Sequence, residues 1–444
     1  MQNRVLIKNL KEHIDSEVLV AGWINVRRDH GKLIFLDIRD GSGIVQAVVL
    51  PDKKDILSTA EKLRPEWVVE IKAKVNRRPE KMINAEILNG DIELEILGVE
   101  VVSEADELPF EKDVEVNIDT YLDNMPFTLR SEKTRAIFKV QSEIVGEYRR
   151  TLADRSFIEY QSPKLVGDDA EGGGNVFKVD YFNDKTAFLA TSPQLYKQIM
   201  VGVYEKVFTT STVFRAEKHS TTRHINEYTS LDAELGFIKD HNDVLIELIK
   251  TIRSILSHVA DKCQDELKVL NTTLPKLPQD IPVMKLREVQ ELIKKETGED
   301  CTGEPDLEPS HERWICKYAL EKFGSDFVAV THYPVSKRPF YTYEDEDDLS
   351  FTKSFDLLCR GVEITTGGQR INNHDQLVDK IKEKGLDPES FSFYLQAFKY
   401  GMPPHGGWGM GLERLTQKFL DLDNVKKATL FPREINRIDS LLSK

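Results

Sequence analysis

The sequence predicts an α+β protein in which a small N-terminal β-barrel precedes a larger domain that combines helices and strands. Short β-rich runs broken by turn signals fill residues 1–103, whereas amphipathic helical stretches and alternating strand-like runs share residues 131–444. Residues 104–130 between them are acidic and contain Pro109 and Pro126, a composition typical of a linker or hinge. At 444 residues the chain is long enough for several domains.

The composition excludes some classes of protein. Hydrophobic residues make up 40% of the chain and charged residues 31%, as in a charge-rich globular protein. No apolar run approaches a transmembrane helix and the N-terminus lacks a secretory pattern, so we expect a cytoplasmic protein without membrane association. The four cysteines form no CxxC pair, which favours reduced structural thiols over zinc. The net charge of −14 does not indicate a nucleic-acid binder, but a local basic patch would suffice.

The first hundred residues contain strand-like runs at 18–23, 33–38, 44–50 and 67–75. This pattern favours a small barrel, with the OB-fold as the leading candidate. Such barrels can bind single-stranded nucleic acid by stacking bases on aromatic rings in a basic groove. Phe35 supplies a ring, and Arg28 and Gln46 on either side of it supply a cation and an amide. The same pattern also allows Phe35 to lie in the barrel core.

The second domain is predicted to begin with a helix. Ser131 is a suitable N-cap, and an apolar stripe follows it, formed by Ile137, Val140, Ile144 and Val145. The next run, FIEYQSPKLV, is strand-like but contains Pro163, which cannot donate to a sheet ladder. We therefore place this run at a sheet edge or an interface. Farther along, TSPQLYKQIM predicts a helix that carries Gln194 and Lys197.

Residues 211–234, STVFRAEKHSTTRHINEYTSLDAE, predict a hairpin with polar side chains on its faces. Two-residue alternation puts Val213, Arg215 and Glu217 on one face of the first strand. The same rule aligns polar residues of the second strand, which are Tyr228, Ser230, Asp232 and Glu234. The joining loop carries Lys218, His219, Arg223 and His224. Such faces are costly unless the side chains meet a ligand or each other, so the hairpin is either a binding site or a solvated surface.

The last third combines acidic residues with a glycine-rich run. In SFDLLCRGVEITTGGQR, Asp356 and Glu363 are seven residues apart, and Thr366 and Arg370 follow them. GMPPHGGWGMGLERL then predicts a strand that passes into a helix, with Arg414 in the first helical turn. A cation there opposes the helix dipole unless an anionic or aromatic group lies opposite. The alternative is a surface arginine.

Together these segments resemble the three signature motifs of class II aminoacyl-tRNA synthetases, and most closely the aspartyl enzymes of subclass IIb, of the compact archaeal type. The helix from Ser131 and FIEYQSPKLV resemble motif 1, FRAEKHSTTRHINEYTSLDAE resembles motif 2, and GMPPHGGWGMGLERL resembles motif 3. The runs TSPQLYKQ, RPFYT, KSFDL and GVEITTGGQR are also similar to runs of that family. The chain has no P-loop, no HIGH or KMSKS signature and no Rossmann glycine pattern, which argues against other ATP-using folds.

For residues 131–444 the resemblance implies a class II catalytic domain, an antiparallel sheet flanked by helices. It also implies a ligase that joins L-aspartate to tRNA through an aspartyl-adenylate formed from ATP. The aspartate carboxylate is itself the nucleophile, so positioning and charge stabilisation carry the step. Mg²⁺ is the implied cofactor, and a homodimer through the Pro163 region is the implied assembly. The residues implied for ATP binding and catalysis are Arg215, Glu217, Arg223, His224, Tyr228, Glu363 and Arg414.

The remaining roles implied by the resemblance concern the metal, the amino acid and the tRNA. The implied oxygen ligands of Mg²⁺ are Asp356, Glu363 and Thr366. Lys197 and Arg370 would hold the side-chain carboxylate of aspartate, because an amide between two desolvated cations would leave them without a counter-ion. The ammonium group would bind Glu171, Gln194 and Asp232, and the EGGG segment that begins at Glu171 would close over the substrate. The barrel would bind the anticodon through Arg28, Phe35, Gln46 and Glu93.

Three alternatives remain open from the sequence. An asparaginyl enzyme shares the fold and the ATP chemistry, although the lysine of SPQLYK and the PPHGG run favour aspartate. An aspartyl enzyme could also charge asparagine tRNA; Asn25 stands where relatives with relaxed tRNA choice often carry histidine, which favours strict choice. A catalytically inactive RNA-binding paralogue is a distant third alternative, because Arg215, Glu363 and Arg414 are all present.

Overall fold

The computed structural model describes residues 4–31, 33–84, 89–167 and 175–442. The chain forms two compact units, Met1–Glu111 and Lys112–Lys444. The division falls inside the segment 104–130 that the sequence marks as a linker. Among the described residues, no helix is both long enough and apolar enough to span a bilayer.

The first unit is a closed five-stranded barrel with strand order β1-β2-β3-β5-β4. Residues such as Ile34, Leu36 and Ile38 point into its core because alternate side chains of a strand lie on opposite faces. The last strand, β5, was not predicted from the sequence; in its first half apolar residues alternate with glutamates. The elements are β1 (Glu17–Asp29), β2 (Ile34–Arg39), β3 (Ile44–Val49), α1 (Lys54–Ala60), β4 (Val68–Arg77) and β5 (Ile92–Ser103).

The predicted linker, residues 104–130, contains regular secondary structure in its second half. Two short helices lie there, α2 (Ile118–Asp123) and α3 (Met125–Thr128). The side chain of Asn117 caps α2 by accepting from the backbone N–H of Thr120 at 2.9 Å. Pro126 lies in the first turn of α3, where a backbone N–H has no helical partner to lose.

The second unit contains a large mixed sheet with helices on it. Its elements are α4 (Glu132–Asp154), β6 (Ile158–Glu159), β7 (Leu165–Val166), β8 (Lys178–Tyr181), β9 (Lys185–Leu189), α5 (Gln194–Tyr204), β10 (Lys206–Phe214), β11 (Glu227–Gly236), α6 (His241–Lys262), α7 (Gln264–Val269), β12 (Val283–Lys285), α8 (Leu286–Thr297), α9 (Pro309–Phe323), β13 (Phe327–Thr331), β14 (Ser354–Cys359), β15 (Val362–Arg370), α10 (His374–Glu383), α11 (Ser392–Lys399), β16 (His405–Gly411) and α12 (Leu412–Phe419).

Eight of these strands form one sheet in the order β12-β13-β14-β15-β16-β11-β10-β6, and β7, β9 and β8 form a small second sheet. All neighbours in the large sheet are antiparallel except the pairs β12–β13 and β10–β6. The edge position predicted for FIEYQSPKLV is confirmed, since β6 is the last strand. Pro163 lies between β6 and β7, where its missing N–H interrupts no ladder.

Helices α4 and α6 cover one face of the large sheet. The predicted N-cap of α4 is confirmed, because Ser131 Oγ accepts from the backbone N–H of Thr134 at 3.2 Å. The apolar stripes of both helices join Leu231, Ala233 and Leu235 of β11 in one buried core. Alternation along β11 therefore turns its polar residues to the opposite face, which is left for a cavity.

All four cysteines are free and buried, as the sequence predicts. Burial raises the pKa of the Cys316 thiol to about 12 and that of the Cys263 thiol to about 11. These thiols therefore stay protonated and behave as small apolar side chains.

Candidate functional site

A cavity of about 510 Å³ opens on the sheet face that α4 and α6 leave uncovered. Its walls come from α5, the β10–β11 hairpin, β14, β15, β16 and the start of α12. The structure brings the residues predicted for ATP, the amino acid and the metal together here, with one exception. Glu171 and the glycines after it lie outside the described residues. The predicted residues that line the cavity are Gln194, Lys197, Arg215, Glu217, Arg223, His224, Tyr228, Asp232, Asp356, Glu363, Thr366, Arg370 and Arg414.

At one end of the cavity, Lys197 and Arg370 converge on the same carboxylate. Lys197 Nζ lies 2.8 Å from Asp232 Oδ2 and 3.4 Å from Glu234 Oε2, and its side chain is only 1% exposed. Arg370 Nε donates to Glu234 Oε1 at 3.0 Å. Both cations also donate to backbone carbonyls of β16, those of Trp408 and Gly407. The two positive groups are therefore held rigidly side by side.

Glu234 is a site residue that sequence reasoning missed. The hairpin alternation placed it on the polar face, but only the structure shows that both cations contact it. Burial raises the pKa of Glu234, but Arg370 and Lys197 outweigh that effect and lower it, so the carboxylate is charged. With Asp232, the cluster contains two cations and two anions. It is formally neutral before any ligand binds.

A chain of amides fixes the orientation of Gln194. His405 Nδ1 lies 2.9 Å from the carbonyl oxygen of Pro403, which can only accept, so Nδ1 carries the proton. His405 Nε2 therefore accepts from Gln198 Nε2 at 2.9 Å. Gln198 Oε1 in turn accepts from Gln194 Nε2 at 3.0 Å and from the Tyr394 hydroxyl at 3.1 Å. The oxygen of the Gln194 amide is thus the end that can accept from a cation.

At the other end of the cavity, the β10–β11 hairpin presents Arg215 and Glu217 from its loop rather than from a strand. We predicted Arg215 and Glu217 on a strand face, but β10 ends at Phe214. The backbone N–H of Arg215 still donates to the carbonyl of Asn226 at 2.8 Å, but that of Ala216 donates to Asn175 at 2.9 Å, so pairing between the two strands stops there. The Asn226 side chain also donates to the backbone carbonyls of Arg215 at 2.6 Å and Glu217 at 3.0 Å, and both side chains line the cavity.

Two groups of the hairpin loop are already engaged. His224 Nδ1 lies 2.7 Å from Thr221 Oγ1, and burial lowers the pKa of His224. Arg223 pairs with Glu312 of α9, a residue that was not predicted from the sequence. Arg223 therefore lies on the cavity wall, but its side chain is held by a carboxylate of α9.

Arg414 lies beside a carboxylate that offsets its unfavourable interaction with the helix dipole. It lies in the first turn of α12 and donates to the backbone carbonyl of Glu363 at 3.3 Å. Burial raises the pKa of Glu363, but Arg414 and a hydrogen bond from Thr366 outweigh it and lower the pKa. The unfavourable interaction of Arg414 with the helix dipole is thus offset by an adjacent carboxylate. The alternative of a solvated surface arginine is wrong.

Asp356, Glu363 and Thr366 supply oxygen atoms from the neighbouring strands β14 and β15. Thr366 Oγ1 donates to Glu363 Oε1 at 2.8 Å. Asp356 Oδ1 is buried without a hydrogen-bond partner, and burial raises the pKa of Asp356 to about 6. An orphaned oxygen beside a second carboxylate fits a hard cation such as Mg²⁺.

This donor set is small. Within the described ranges, no group of three or more histidine, cysteine, aspartate or glutamate side chains could hold a metal ion. Mg²⁺ in nucleotide enzymes is usually held by one or two carboxylates together with waters and phosphates. The residues therefore fit a metal whose coordination a nucleotide completes.

The predicted nucleic-acid residues lie on the outside of the barrel. Phe35 alternates with the core residues of β2 and lies outside the core, so its interpretation as a core residue is wrong. Arg28 stands opposite Phe35 in the β1–β2 ladder and forms two 2.7 Å bonds with Asp37. Arg28 Nη2 also donates to Gln46 Oε1 at 3.3 Å, which leaves the amide nitrogen of Gln46 for a ligand. Glu93 lies on β5, and its Oε2 is 3.9 Å from Arg78 Nε.

Known proteins match the chain over nearly its whole length. A family described as tRNA synthetases class II (D, K and N) matches residues 117–435, and the OB-fold nucleic acid binding domain family matches residues 18–102. An aspartate--tRNA(Asp/Asn) ligase from Thermus thermophilus is 45% identical over 98% of this chain and 99% of its own. An aspartate--tRNA(Asp) ligase from Pyrococcus abyssi is 39% identical over 97% of this chain and 99% of its own. The structure of asparaginyl-tRNA synthetase from Pyrococcus horikoshii with asparaginyl-adenylate has a TM-score of 0.91 at 30% identity, covering 99% of this chain and 100% of that chain.

Proposed function

The chain belongs to the class II tRNA synthetases of the aspartate, lysine and asparagine group, and from that premise we propose that it joins L-aspartate to tRNA through an aspartyl-adenylate. The observation that carries the choice of aspartate is the convergence of Lys197 and Arg370 on Glu234 in one cavity. Two buried cations held side by side can bind the side-chain carboxylate of the substrate if it takes the place of a carboxylate they now contact, Asp232 or Glu234. A neutral amide offers them no charge in exchange.

In the first step, the α-carboxylate of aspartate attacks the α-phosphorus of ATP, and pyrophosphate leaves. Arg215 holds the α-phosphate through a planar two-pronged contact. Tyr228 and Arg414 stack on the two faces of the adenine ring. Glu217 accepts from the adenine amino group, and His224 contacts the outer phosphates.

Arg223 can contact the outer phosphates only after its ion pair with Glu312 breaks. Asp356, Glu363 and Thr366 would hold Mg²⁺, which would neutralise phosphate charge. In the second step, a hydroxyl of the terminal adenosine of tRNA attacks the activated carbonyl, and AMP leaves.

The ATP–pyrophosphate exchange reaction tests this proposal without tRNA. We expect exchange with L-aspartate, and exchange with L-asparagine lower by roughly 10²- to 10⁴-fold in kcat/KM, because a neutral amide cannot replace Asp232 or Glu234 as the ionic partner of Lys197 and Arg370. Exchange that depends on asparagine, or on neither amino acid, would contradict the proposal.

The choice of tRNA is a second question with two answers. The printed name of the Thermus relative covers both aspartate and asparagine tRNA, which favours a relaxed enzyme. Asn25 in β1, where relaxed relatives often carry histidine, favours a strict one. Aminoacylation of purified aspartate and asparagine tRNAs side by side with [¹⁴C]aspartate decides between them.

We also propose a cytoplasmic homodimer that buries the exposed Ile158 and Leu165 beside Pro163.

Phe35→Ala is expected to raise the KM for tRNA by roughly 5- to 100-fold, because base stacking on an aromatic ring contributes about 1–3 kcal/mol. Pyrophosphate exchange should stay normal, since Phe35 lies in the barrel unit and outside its core. Phe35→Trp is the matched control, because it keeps a stacking surface. Loss of exchange together with tRNA binding in Phe35→Ala would show a structural role instead.

A further inference from the structure

Arg338 is a buried cation of the cavity to which the proposed mechanism gives no task. It begins the RPFYT run and follows the 3₁₀ turn Val335–Lys337. Its Nη2 lies 2.8 Å from Asp356 Oδ2, and its Nε donates to Ser354 Oγ at 3.1 Å. The guanidinium carbon lies 4.0 Å from the centre of the Tyr333 ring. These contacts hold the cation against one of the proposed metal ligands.

The contact between Arg338 and Asp356 is ionic but incomplete. Arg338 Nη2 contacts only one oxygen of Asp356, Oδ2, and the other oxygen, Oδ1, is buried without a hydrogen-bond partner among the described residues. Within the described ranges the guanidinium is seen to contact Ser354 through Nε and Asp356 through Nη2, although it has five donors. The pair therefore balances charge while leaving a donor and an acceptor for other partners.

Within the described part of the chain, the other cations nearby have different partners. Lys337, next to Arg338 in sequence, pairs with Asp306, with its Nζ 2.8 Å from Asp306 Oδ2. Arg414 contacts Glu363 through its backbone carbonyl. Arg338 is thus the cation in ionic contact with Asp356 among the described residues.

We propose that Arg338 stands in for the divalent cation at Asp356 while no nucleotide is bound, and so makes tight metal binding depend on the nucleotide. A metal arriving alone meets a site already neutralised by a fixed positive charge, which repels it. A nucleotide brings phosphate oxygens that complete the coordination of the metal and accept the unused donors of Arg338. This inference rests on the proposed function, in which Asp356 and Glu363 are the metal ligands.

Binding of Mn²⁺ to the nucleotide-free protein tests the inference without measuring activity. Mn²⁺ takes the same oxygen ligands as Mg²⁺, and electron paramagnetic resonance measures its free concentration. The wild-type protein should bind Mn²⁺ weakly. In Arg338→Met the repelling charge is gone, so we expect the dissociation constant to fall by about tenfold or more. General damage to the site would change it in the opposite direction.

Three further variants make the test specific. Arg338→Lys keeps the charge and should bind Mn²⁺ as weakly as the wild type. Arg338→Met combined with Glu363→Gln should lose the gain, because it removes a ligand from the same site. Arg39→Met removes a buried arginine of the barrel, paired with Glu66 at 2.8 Å, and should leave Mn²⁺ binding unchanged. If Arg338→Met does not fold, as judged by circular dichroism, Arg338→Gln replaces it with the same expectation.

Unchanged or weaker Mn²⁺ binding in the folded neutral variant would overturn the inference. A gain that persists in the double variant with Glu363→Gln would overturn it as well, because the metal would then lie elsewhere. The exchange reaction of the wild-type protein with aspartate tests the proposed function separately. Normal exchange with an unchanged Mn²⁺ constant would therefore reject the role of Arg338 alone.

Discussion

Replacing Lys197 with methionine is expected to lower kcat/KM for aspartate in pyrophosphate exchange by roughly 10²- to 10³-fold, as truncation of a buried charge pair costs about 2–5 kcal/mol. Methionine keeps the length of the side chain but loses the charge. The loss has two physical sources: the substrate carboxylate loses a cation, and Asp232 loses the partner that lies 2.8 Å away. Steady-state exchange at varied aspartate concentrations measures the effect.

A second lysine of the same unit provides the matched control. Lys380 is also largely buried and paired, with Glu344 at 2.7 Å, but it lies on α10 and does not line the cavity. Lys380→Met should keep the kcat/KM for aspartate close to the wild-type value. Near-normal exchange in Lys197→Met would reject the assignment of Lys197 to the substrate carboxylate.

Arg215→Lys is expected to reduce kcat for adenylate formation by roughly 10²- to 10³-fold, the loss typical when one preorganised group that stabilises transition-state charge is removed. The substitution keeps the positive charge, so it isolates the geometry of the contact. Lysine presents a point charge and cannot reproduce a planar two-pronged contact with phosphate. Single-turnover formation of aspartyl-adenylate at saturating ATP measures the chemical step.

Arg253→Lys is the control for this second substitution. Arg253 lies on α6, and its guanidinium donates to the backbone carbonyls of Leu277 at 3.1 Å and Pro278 at 2.7 Å. It does not line the cavity, so the rate of adenylate formation should stay near that of the wild type. An unchanged rate in Arg215→Lys would mean that charge alone is sufficient at this position.

Local patterns predicted several features of the second unit. The cap at Ser131, the edge position near Pro163 and the passage from strand to helix before Arg414 depend on neighbours in sequence, and the structure has all three. The short helices α2 and α3 and the strand β5 were missed. Acidic residues interrupt the pattern of α2 and β5, and α3 has only four residues; a cap such as Asn117 of α2 decides structure that composition does not indicate.

The sequence by itself determined which chemical groups are available and which faces of strands and helices carry them, because side-chain direction repeats over two or about four residues. The tertiary structure alone decided how those charges are paired. Glu234 and Arg370 are 136 residues apart in sequence, yet they bond at 3.0 Å. Arg223 of the hairpin loop reaches Glu312 on α9, and Arg338, which follows a 3₁₀ turn, reaches Asp356 on β14. Such pairs form because buried charges require partners, and the partner is fixed by the packing of distant elements rather than by any local period.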